Sequence, residues 1–423
     1  MSKQIYFENV KYPYANDWDK EKDYIEFHLK DVHFSLANAL RRCMISQVKT
    51  IGFRTEPFEN STVKIIHNDS PLHNQFIEHR IGMIPICIKK PEEFEVDEYV
   101  FEIDEKNDTS EIINITTEHI KVKKVSTNTY LSREETRKMF PPDPITGDYL
   151  ILNVLRPHYF TSLNKSINEM NEINKNYDKK IENSVSLKIE AKAVLSNGEE
   201  NGHFNPTSCA TYFNTVDPEK AKVAEVEYVK NQNEYNKMNN LSLIDPEKLK
   251  RRFQLSESSR YFYVDEEGEP NHFTFRIESV GVIPPLVVFH KAISIMIDKI
   301  NLFITNVVSE NKNYITISPS LQIPDGIDIM VEQEDDTLGN IVQSYISKYY
   351  CNYGSNNKLN FIGYKKPHPL EYRIRFTLQG NTNDLIGDVL IPGCKDIIKL
   401  LSNIQGNIEE HQAFVNESKR LTK

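Results

Sequence analysis

The chain is poor in glycine, and this scarcity limits the functions that it can carry. Only 15 of its 423 residues are glycine, and no Gly-rich phosphate-binding loop, nucleophile elbow or catalytic-triad spacing stands out. The five cysteines lie far apart, and none forms a Cys-x-x-Cys pair. Zinc knuckles and iron–sulfur clusters built from closely spaced cysteines are therefore excluded, and the scattered thiols are typical of a reducing compartment.

Long apolar segments are also missing. The longest nearly apolar run, GVIPPLVVF (281–289), is too short to cross a bilayer, and the first residues, MSKQIYFENV, lack the apolar core of a signal peptide. We therefore expect a soluble, intracellular protein without membrane contact. Basic residues are in the minority, because 51 Lys and Arg stand against 61 Asp and Glu. Proteins that contact many phosphates are usually basic, so we expect little or no direct nucleic-acid contact.

What the sequence does contain is a pattern that occurs twice, about 300 residues apart. The segments FSLANALRRCMISQV (34–48) and DDTLGNIVQSYISKY (335–349) each open an apolar helix with Leu-x-Asn. The segments FIEHRIGMIPI (76–86) and FIGYKKPHPL (361–370) each join a Phe-Ile pair to a turn that contains proline. Ser35 is placed to cap the first helix. Two related halves in one chain indicate a protein that pairs with itself.

Each half also ends in a long apolar helix, near 286–304 and near 394–408. Apolar residues recur there at steps of three or four, which gives each helix one continuous apolar stripe. A lone helix cannot hide such a stripe in a thin two-layer fold. Packing the two helices together removes apolar area from water, at about 25 cal/mol per Å². The covalent link adds an effective concentration on the order of millimolar, so we predict an internal pseudo-dimer.

The region between the first motifs and the first terminal helix reads as an insertion. SVSLKIEAKAVL (184–195) alternates as a half-buried strand, Asp217-Pro218 and Asp245-Pro246 start helices, and 164–180 is a polar, Asn-rich connection. Strand patterns return at 261–265 and 272–280. We therefore predict an α+β fold with two related dimerisation domains and a β-rich insertion in the first half. The predicted domains are 1–86 with 260–309 for the first half, 87–259 for the insertion and 310–423 for the second half.

These motifs resemble the alpha-type assembly subunits of multisubunit DNA-dependent RNA polymerase. FSLANALRRCMISQVKT (34–50) and FIEHRIGMIPI (76–86) are similar to the two signatures of the larger partner, the archaeal D or eukaryotic third subunit. EQEDDTLGNIVQSYI (332–346) and FIGYKKPHPLEYRIRFTLQ (361–379) are similar to the smaller L-type or eleventh subunit. The family has two separate chains where this sequence has one. Large nucleocytoplasmic DNA viruses have such fusions, and a sequence rich in Asn, Ile and Lys suits an AT-rich genome.

The resemblance implies a non-catalytic assembly platform with no active site of its own. Its two halves pair as an intramolecular pseudo-heterodimer, and the resulting surface docks the second-largest and largest polymerase subunits, with small subunits alongside. Some relatives hold zinc or an iron–sulfur cluster through clustered cysteines in the insertion. This chain has only Cys209 between Cys87 and Cys351, so we expect no metal and no cofactor there. The expected location is the virion or host-cell cytoplasm for a viral chain and the nucleus for a cellular one.

The motifs also supply a set of candidate interface residues. Arg41 and Arg42 suit bidentate contacts with carboxylates or carbonyls of a large subunit, with an ordinary solvated helix face as the alternative. Asn38 and Asn340 lie early in helices, where either a specific hydrogen bond or simple first-turn tolerance explains them. The complete set is Leu36, Asn38, Leu40, Arg41, Arg42, His79, Arg80, Leu338, Asn340, Phe289, Ile293, Ile297, Ile397 and Leu401.

Two other functions compete with this one. A metal-dependent hydrolase would use Asp335 and Asp336 with histidines, but an acidic pair at a helix start is explained more simply as a cap. His67, His73 and His79 lie six residues apart, whereas zinc ligands on one helix need a spacing of three or four. The other alternative is a free-standing homodimeric interaction module that has no polymerase.

Overall fold

The computed structural model describes residues 5–14, 23–109, 111–156, 185–351, 358–382 and 384–421, and the predicted connection 164–180 lies outside them. The chain packs as two compact units. Unit 1 contains the residues up to Val48, the segment Thr207–Ser279 and the residues from Pro284 onwards. Unit 2 contains Lys49–Pro206 and Val280–Ile283.

The described elements are numbered in chain order. The strands are β1 (Phe7–Lys11), β2 (Tyr24–Lys30), β3 (Lys49–Phe53), β4 (Val63–Asn68), β5 (Tyr99–Asn107), β6 (Ile113–Thr116), β7 (Lys121–Lys124), β8 (Thr129–Tyr130), β9 (Ile151–Leu155), β10 (Val185–Ala191), β11 (Ala193–Asn197), β12 (Thr207–Asn214), β13 (His272–Ser279), β14 (Ile315–Pro319), β15 (Gly326–Glu332), β16 (Phe361–Lys365) and β17 (Arg373–Gln379). The helices are α1 (Phe34–Ser46), α2 (Asn74–Gly82), α3 (Arg133–Met139), α4 (Pro218–Met238), α5 (Pro246–Ser256), α6 (Pro285–Val308), α7 (Asp336–Tyr350), α8 (Ile391–Glu410) and α9 (Gln412–Arg420).

The two halves of unit 1 share one topology. The first half forms a four-stranded antiparallel sheet in the order β1-β2-β13-β12, and the second half forms one in the order β14-β15-β17-β16. In both sheets, the first and second strands along the chain are neighbours. The fourth strand along the chain pairs with the second, and the third lies at the outer edge beside the fourth. A helix follows the second strand and a long helix follows the fourth, namely α1 and α6 in one half and α7 and α8 in the other. This common order confirms the two related halves.

The Leu-x-Asn motifs occupy equivalent positions in α1 and α7. Leu36 and Leu338 each lie three residues after the N-cap, which is His33 in α1 and Asp335 in α7. The prediction that Ser35 caps α1 was wrong, because Ser35 is inside the helix and donates its backbone N–H to Nδ1 of His33. A histidine ring nitrogen is an acceptor like the oxygens of the usual caps, so it fills the same role.

Unit 2 is rich in strands. A five-stranded sheet has the order β4-β10-β5-β7-β8, and two further strand pairs, β11 with β3 and β6 with β9, complete the unit. The alternation predicted at 184–195 corresponds to β10 and β11, whose apolar residues enter the core with Phe53, Phe101 and Ile77. A β-rich region in the first half of the chain is therefore present, as predicted.

Two further features qualify the predictions. The segment 261–265 forms isolated bridges through Phe262 and Val264 instead of the expected strand. Helices α4 and α5, which the sequence assigned to the insertion, pack within unit 1. The three-domain division with boundaries at 86, 259 and 309 remains a prediction. Among the helices in the described part of the chain, none combines the length and apolar character that a membrane span needs.

Candidate functional site

Four helices, two from each half, form the seam of unit 1. Helix α1 contacts α6 and α7, and α8 also contacts α6 and α7, so each helix of one half touches the other half. The predicted contact between the two terminal helices, α6 and α8, is confirmed. Seven of the candidate residues are buried in these helices: Leu36, Leu40, Phe289, Ile293, Leu338, Ile397 and Leu401. Ile297 is half-buried.

Helix α6 is the element on which both sheets converge. Near its start, the ring of Phe289 lies 4.8 Å from that of Phe27 and 5.4 Å from that of Phe275, both on the first sheet. Near its end, the ring of Phe303 lies 5.8 Å from that of Phe376 on the second sheet. Fully buried aromatic rings contribute large apolar areas, so α6 packs against the sheets of both halves.

Polar contacts also cross the seam. The Arg42 guanidinium donates from Nε to Oγ1 of Thr337 at 2.9 Å and from Nη2 to Oδ2 of Asp335 at 3.0 Å. The predicted cap at Asp335 is confirmed, because its carboxylate also accepts from the Thr337 backbone N–H at 3.0 Å. Lys299 of α6 lies 3.0 Å from Oε2 of Glu334. The first half therefore places two cations on adjacent acids of the second half.

The pKa values of the two acids, Glu334 and Asp335, are shifted in opposite directions. Burial raises the pKa of Glu334, against the charge of Lys299 and the hydrogen bond from Tyr314. Burial also acts on Asp335, but the charge of Lys299 and the hydrogen bonds from Thr337 and Arg42 outweigh it and lower the pKa of Asp335. Asp335 is therefore ionised at neutral pH, which lets it hold Arg42 in a charge-assisted hydrogen bond.

A second ionic group lies where α7 meets the loop before β13. The ammonium of Lys348 donates to Asp265 and lies 3.6 Å from Oε2 of Glu269. Glu269 also contacts Nε2 of His33, the N-cap of α1, at 3.1 Å. One lysine of the second half thereby pairs with an acidic loop of the first half.

The last helix supplies a cap to the seam. Helix α6 begins at Pro285 and has no side-chain cap of its own. Glu417 of α9 is 2% exposed and accepts the Leu286 backbone N–H at 2.8 Å and the Tyr12 hydroxyl at 2.8 Å. Burial raises the pKa of Glu417 to about 7, although both hydrogen bonds and Arg420 act in the opposite direction. A carboxylate at a helix N-terminus is favourable because it faces unpaired N–H groups.

Comparison with known proteins identifies these paired domains. The model of the RNA polymerase Rpb3/Rpb11 dimerisation domain matches residues 26–300, and a second model with the same description matches residues 326–407. The chain belongs to the RNA polymerase Rpb3/Rpb11 dimerisation-domain family. It carries two such domains, and their pairing helices are the four that form the seam.

Similar proteins include polymerase subunits from several organisms. "DNA-directed RNA polymerases II, IV and V subunit 3" of Arabidopsis thaliana is 36% identical over 80 residues, which is 19% of this chain and 23% of that subunit. "DNA-directed RNA polymerases I and III subunit rpac1" of Dictyostelium discoideum is 24% identical over 306 residues, or 65% of this chain and 76% of its own length. "Probable DNA-directed RNA polymerase II subunit RPB11" of Caenorhabditis elegans is 29% identical over 93 residues, which is 22% of this chain and 70% of that subunit. The chain thus spans about a quarter of the Arabidopsis relative.

The polar candidates of the two Rpb3/Rpb11 domains have different surroundings. Arg41 is half-buried, and its Nε and Nη2 donate to Oδ1 of Asn38 at 3.1 and 3.0 Å. Asn340 accepts from the Ser344 hydroxyl at 3.0 Å. Both asparagines therefore make side-chain hydrogen bonds within their own helices. This favours a specific hydrogen bond over simple first-turn tolerance as the reason for each asparagine. Arg42 instead binds Asp335 and Thr337 of the other half.

The remaining candidates belong to unit 2. His79 and Arg80 are exposed on α2, and Nη2 of Arg80 donates to the Ile151 carbonyl at 2.6 Å. Their role at an interface stays a prediction. The hydrolase alternative loses its acidic pair, because Asp335 is a cap and is bound by Arg42. His73 caps α2 and His67 lies 2.7 Å from Asp69, so each has a local role.

Glu334, Lys299 and Glu417 are among the seam residues that the sequence did not predict. Lys299 interrupts the apolar stripe of α6, and a charge inside such a stripe signals a buried partner. Glu334 directly precedes the cap of α7 and is 2% exposed. Glu417 gives no signal in the sequence, because its partner N–H belongs to a helix more than a hundred residues away.

Proposed function

We propose that this chain is a non-catalytic assembly platform of a DNA-directed RNA polymerase. Its two paired domains dock the second-largest and largest subunits, and small subunits attach alongside. One observation carries the proposal: a single chain holds two Rpb3/Rpb11 dimerisation domains that pack against each other. Nucleotidyl transfer then takes place on other chains.

The docking contact belongs to the α1 surface. Leu36 and Leu40 are buried, and Arg42 is bound to Asp335 and Thr337, so none of these side chains is fully available to a partner. Arg41 is half-buried, and its hydrogen bonds to Asn38 fix the orientation of its guanidinium. A preoriented guanidinium loses less side-chain entropy on binding, which suits a bidentate contact with a carboxylate or carbonyl pair.

Co-purification with an Arg41→Glu variant tests this proposal. Tagged wild-type chain, isolated from the cells that produce it, should recover two very large polymerase subunits that mass spectrometry identifies. Arg41→Glu should reduce recovery of the second-largest subunit at least tenfold, while the chain keeps its melting temperature to within a few degrees. Lys312→Glu is the matched control, because it reverses an exposed charge in the connection between the two halves. Equal recovery of the subunit with Arg41→Glu and with wild type refutes the contact.

The same purification separates the free-standing module from the platform. A homodimeric module recovers a second copy of itself and no polymerase subunit. The fusion of both domains also leads us to propose a viral polymerase as the setting. Presence of the chain in purified virions or the host-cell cytoplasm supports that origin, whereas a nuclear location supports a cellular polymerase.

A further inference from the structure

The polar face of the first sheet carries a cluster of metal-binding side chains. Glu8 of β1 lies directly opposite His28 of β2, and His272 of β13 lies diagonally across from His28. Each residue offers one ligand atom, and these three atoms all lie within 4.8 Å of one another. Ligand atoms around a tetrahedral zinc ion lie roughly 3.3 to 3.5 Å apart, so small side-chain rotations bring the three into place.

The surroundings of the cluster favour a ligand. Nε2 of His272 is buried and makes no hydrogen bond among the described residues, while Tyr263 stacks on the ring at a centroid distance of 4.8 Å. The rings of His28 and His272 meet edge to face at 5.1 Å. Nδ2 of Asn9 lies 3.1 Å from Nε2 of His28, so an ion that binds this nitrogen displaces the amide contact.

A local cation occupies part of this cluster. The ammonium of Lys30 lies 2.6 Å from Oε2 of Glu8, and Lys30 itself is opposite His272 in the sheet. The Glu8 carboxylate is therefore already oriented toward the position between the strands. An arriving divalent ion displaces this ammonium, and Lys30 thus acts as a competitor that weakens the site.

We propose that Glu8, His28 and His272 bind one divalent transition-metal ion of the class that prefers imidazole, with Zn²⁺ as the ion to test. Water completes its coordination. The ion fastens β1, which is an edge strand, to the two strands beside it. β1 also contacts α8, and the Tyr6 backbone N–H donates to Oδ1 of Asn407 there at 2.8 Å. Metal binding in the first half thereby stabilises a contact with the second half.

The test uses the full chain, freed of metal with a chelator that is then removed. Titration with Zn²⁺ should give one equivalent bound, and thermal unfolding should shift upward by roughly 5 °C at a hundredfold excess of Zn²⁺ over Kd. Glu8→Gln and His28→Ala should each weaken binding at least tenfold. Lys30→Ala should tighten it severalfold, because the competing ammonium is gone.

His67→Ala is the matched control, because it removes a half-exposed histidine next to an acid on a strand of unit 2. It should leave the stoichiometry and the thermal shift unchanged. Glu8→Gln keeps the size of the side chain, so it remains informative even where a histidine variant fails to fold. Absence of stoichiometric binding overturns the proposal. Binding that survives both Glu8→Gln and His28→Ala, or that is lost with His67→Ala, overturns it as well.

Discussion

Glu417 is a buried acid that couples helix α9 to the seam. Its pKa is about 7 in the folded chain and 4.5 is the ordinary value. Between these two pH values the folded chain binds more protons than the unfolded chain. The free energy of unfolding therefore falls as pH rises through this window, because the buried carboxyl must ionise. The hydrogen bond to Leu286 survives the ionisation, so the cost is one of desolvation.

Glu417→Gln should remove this pH dependence. The amide oxygen can still accept the Leu286 N–H, but no charge has to be buried. At pH 8 we expect the variant to be more stable than wild type by up to about 3 kcal/mol, and at pH 5 the two should converge. Urea unfolding at both pH values measures the difference, with Glu227→Gln on the exposed side of α4 as the control. A variant that is equally destabilised at both pH values would show that the carboxyl itself is required.

Arg42 marks the limit of residue-level prediction. The sequence indicated an interface role for both arginines. The sequence could not predict which residues Arg42 binds, because Asp335 and Thr337 are nearly 300 residues away in the chain. Only the fold brings the cap of α7 to the flank of α1. A paired substitution of Arg41 and Arg42 therefore tests seam and docking together, and the single Arg41 change is the cleaner experiment.

At the level of elements, local signals predicted most helices and few exact strand limits. Asp217-Pro218 and Asp245-Pro246 each predicted a helix start, and the helices begin at Pro218 and Pro246. These signals are local, since a cap and an N-terminal proline act within one turn. The segment 261–265 has a strand-like composition but makes only isolated bridges, because strand formation depends on a partner that the sequence does not name.

Close helix packing in the seam depends on Gly393 of α8. A Cβ at this position would lie 2.6 Å from Cγ1 of Ile346 on α7, and Ile346 is fully buried. Gly393→Ala should therefore destabilise the chain by about 1 to 3 kcal/mol, because overpacking forces the two helices apart. Gly406→Ala is a matched control on the same helix, since a Cβ there meets nothing within 4 Å.

Gly406→Ala should be neutral or should stabilise the chain by up to about 1 kcal/mol, because alanine has a higher helix propensity than glycine. Urea unfolding of both variants under one condition gives the comparison. Equal effects of the two substitutions would mean that α7 and α8 do not pack as closely as the structure has them.

For the whole molecule, the decisive property is that the partners of a dimer share one chain. The halves repeat the same strand order and the same two helices, and their seam combines apolar burial with the Arg42–Asp335 and Lys299–Glu334 pairs. The sequence predicted this pairing because both apolar stripes had to be covered. The covalent link keeps the local concentration of each half on the order of millimolar, so the seam tolerates dilution that would separate two free chains.

Cleaving the connection between the halves tests this argument. A protease site inserted between Lys312 and Asn313, both exposed, permits cleavage after folding. The cut halves should still elute together at micromolar concentration, because the seam is intact, and they should separate only on dilution. Adding Leu40→Asp, which buries a charge at a fully buried position, should separate the cut halves at once. Leu302→Asp on α6 is the control, because Leu302 is 53% exposed and the cut halves should stay together. Halves that separate on cleavage without any substitution would show that the link, and not the seam, holds the molecule together.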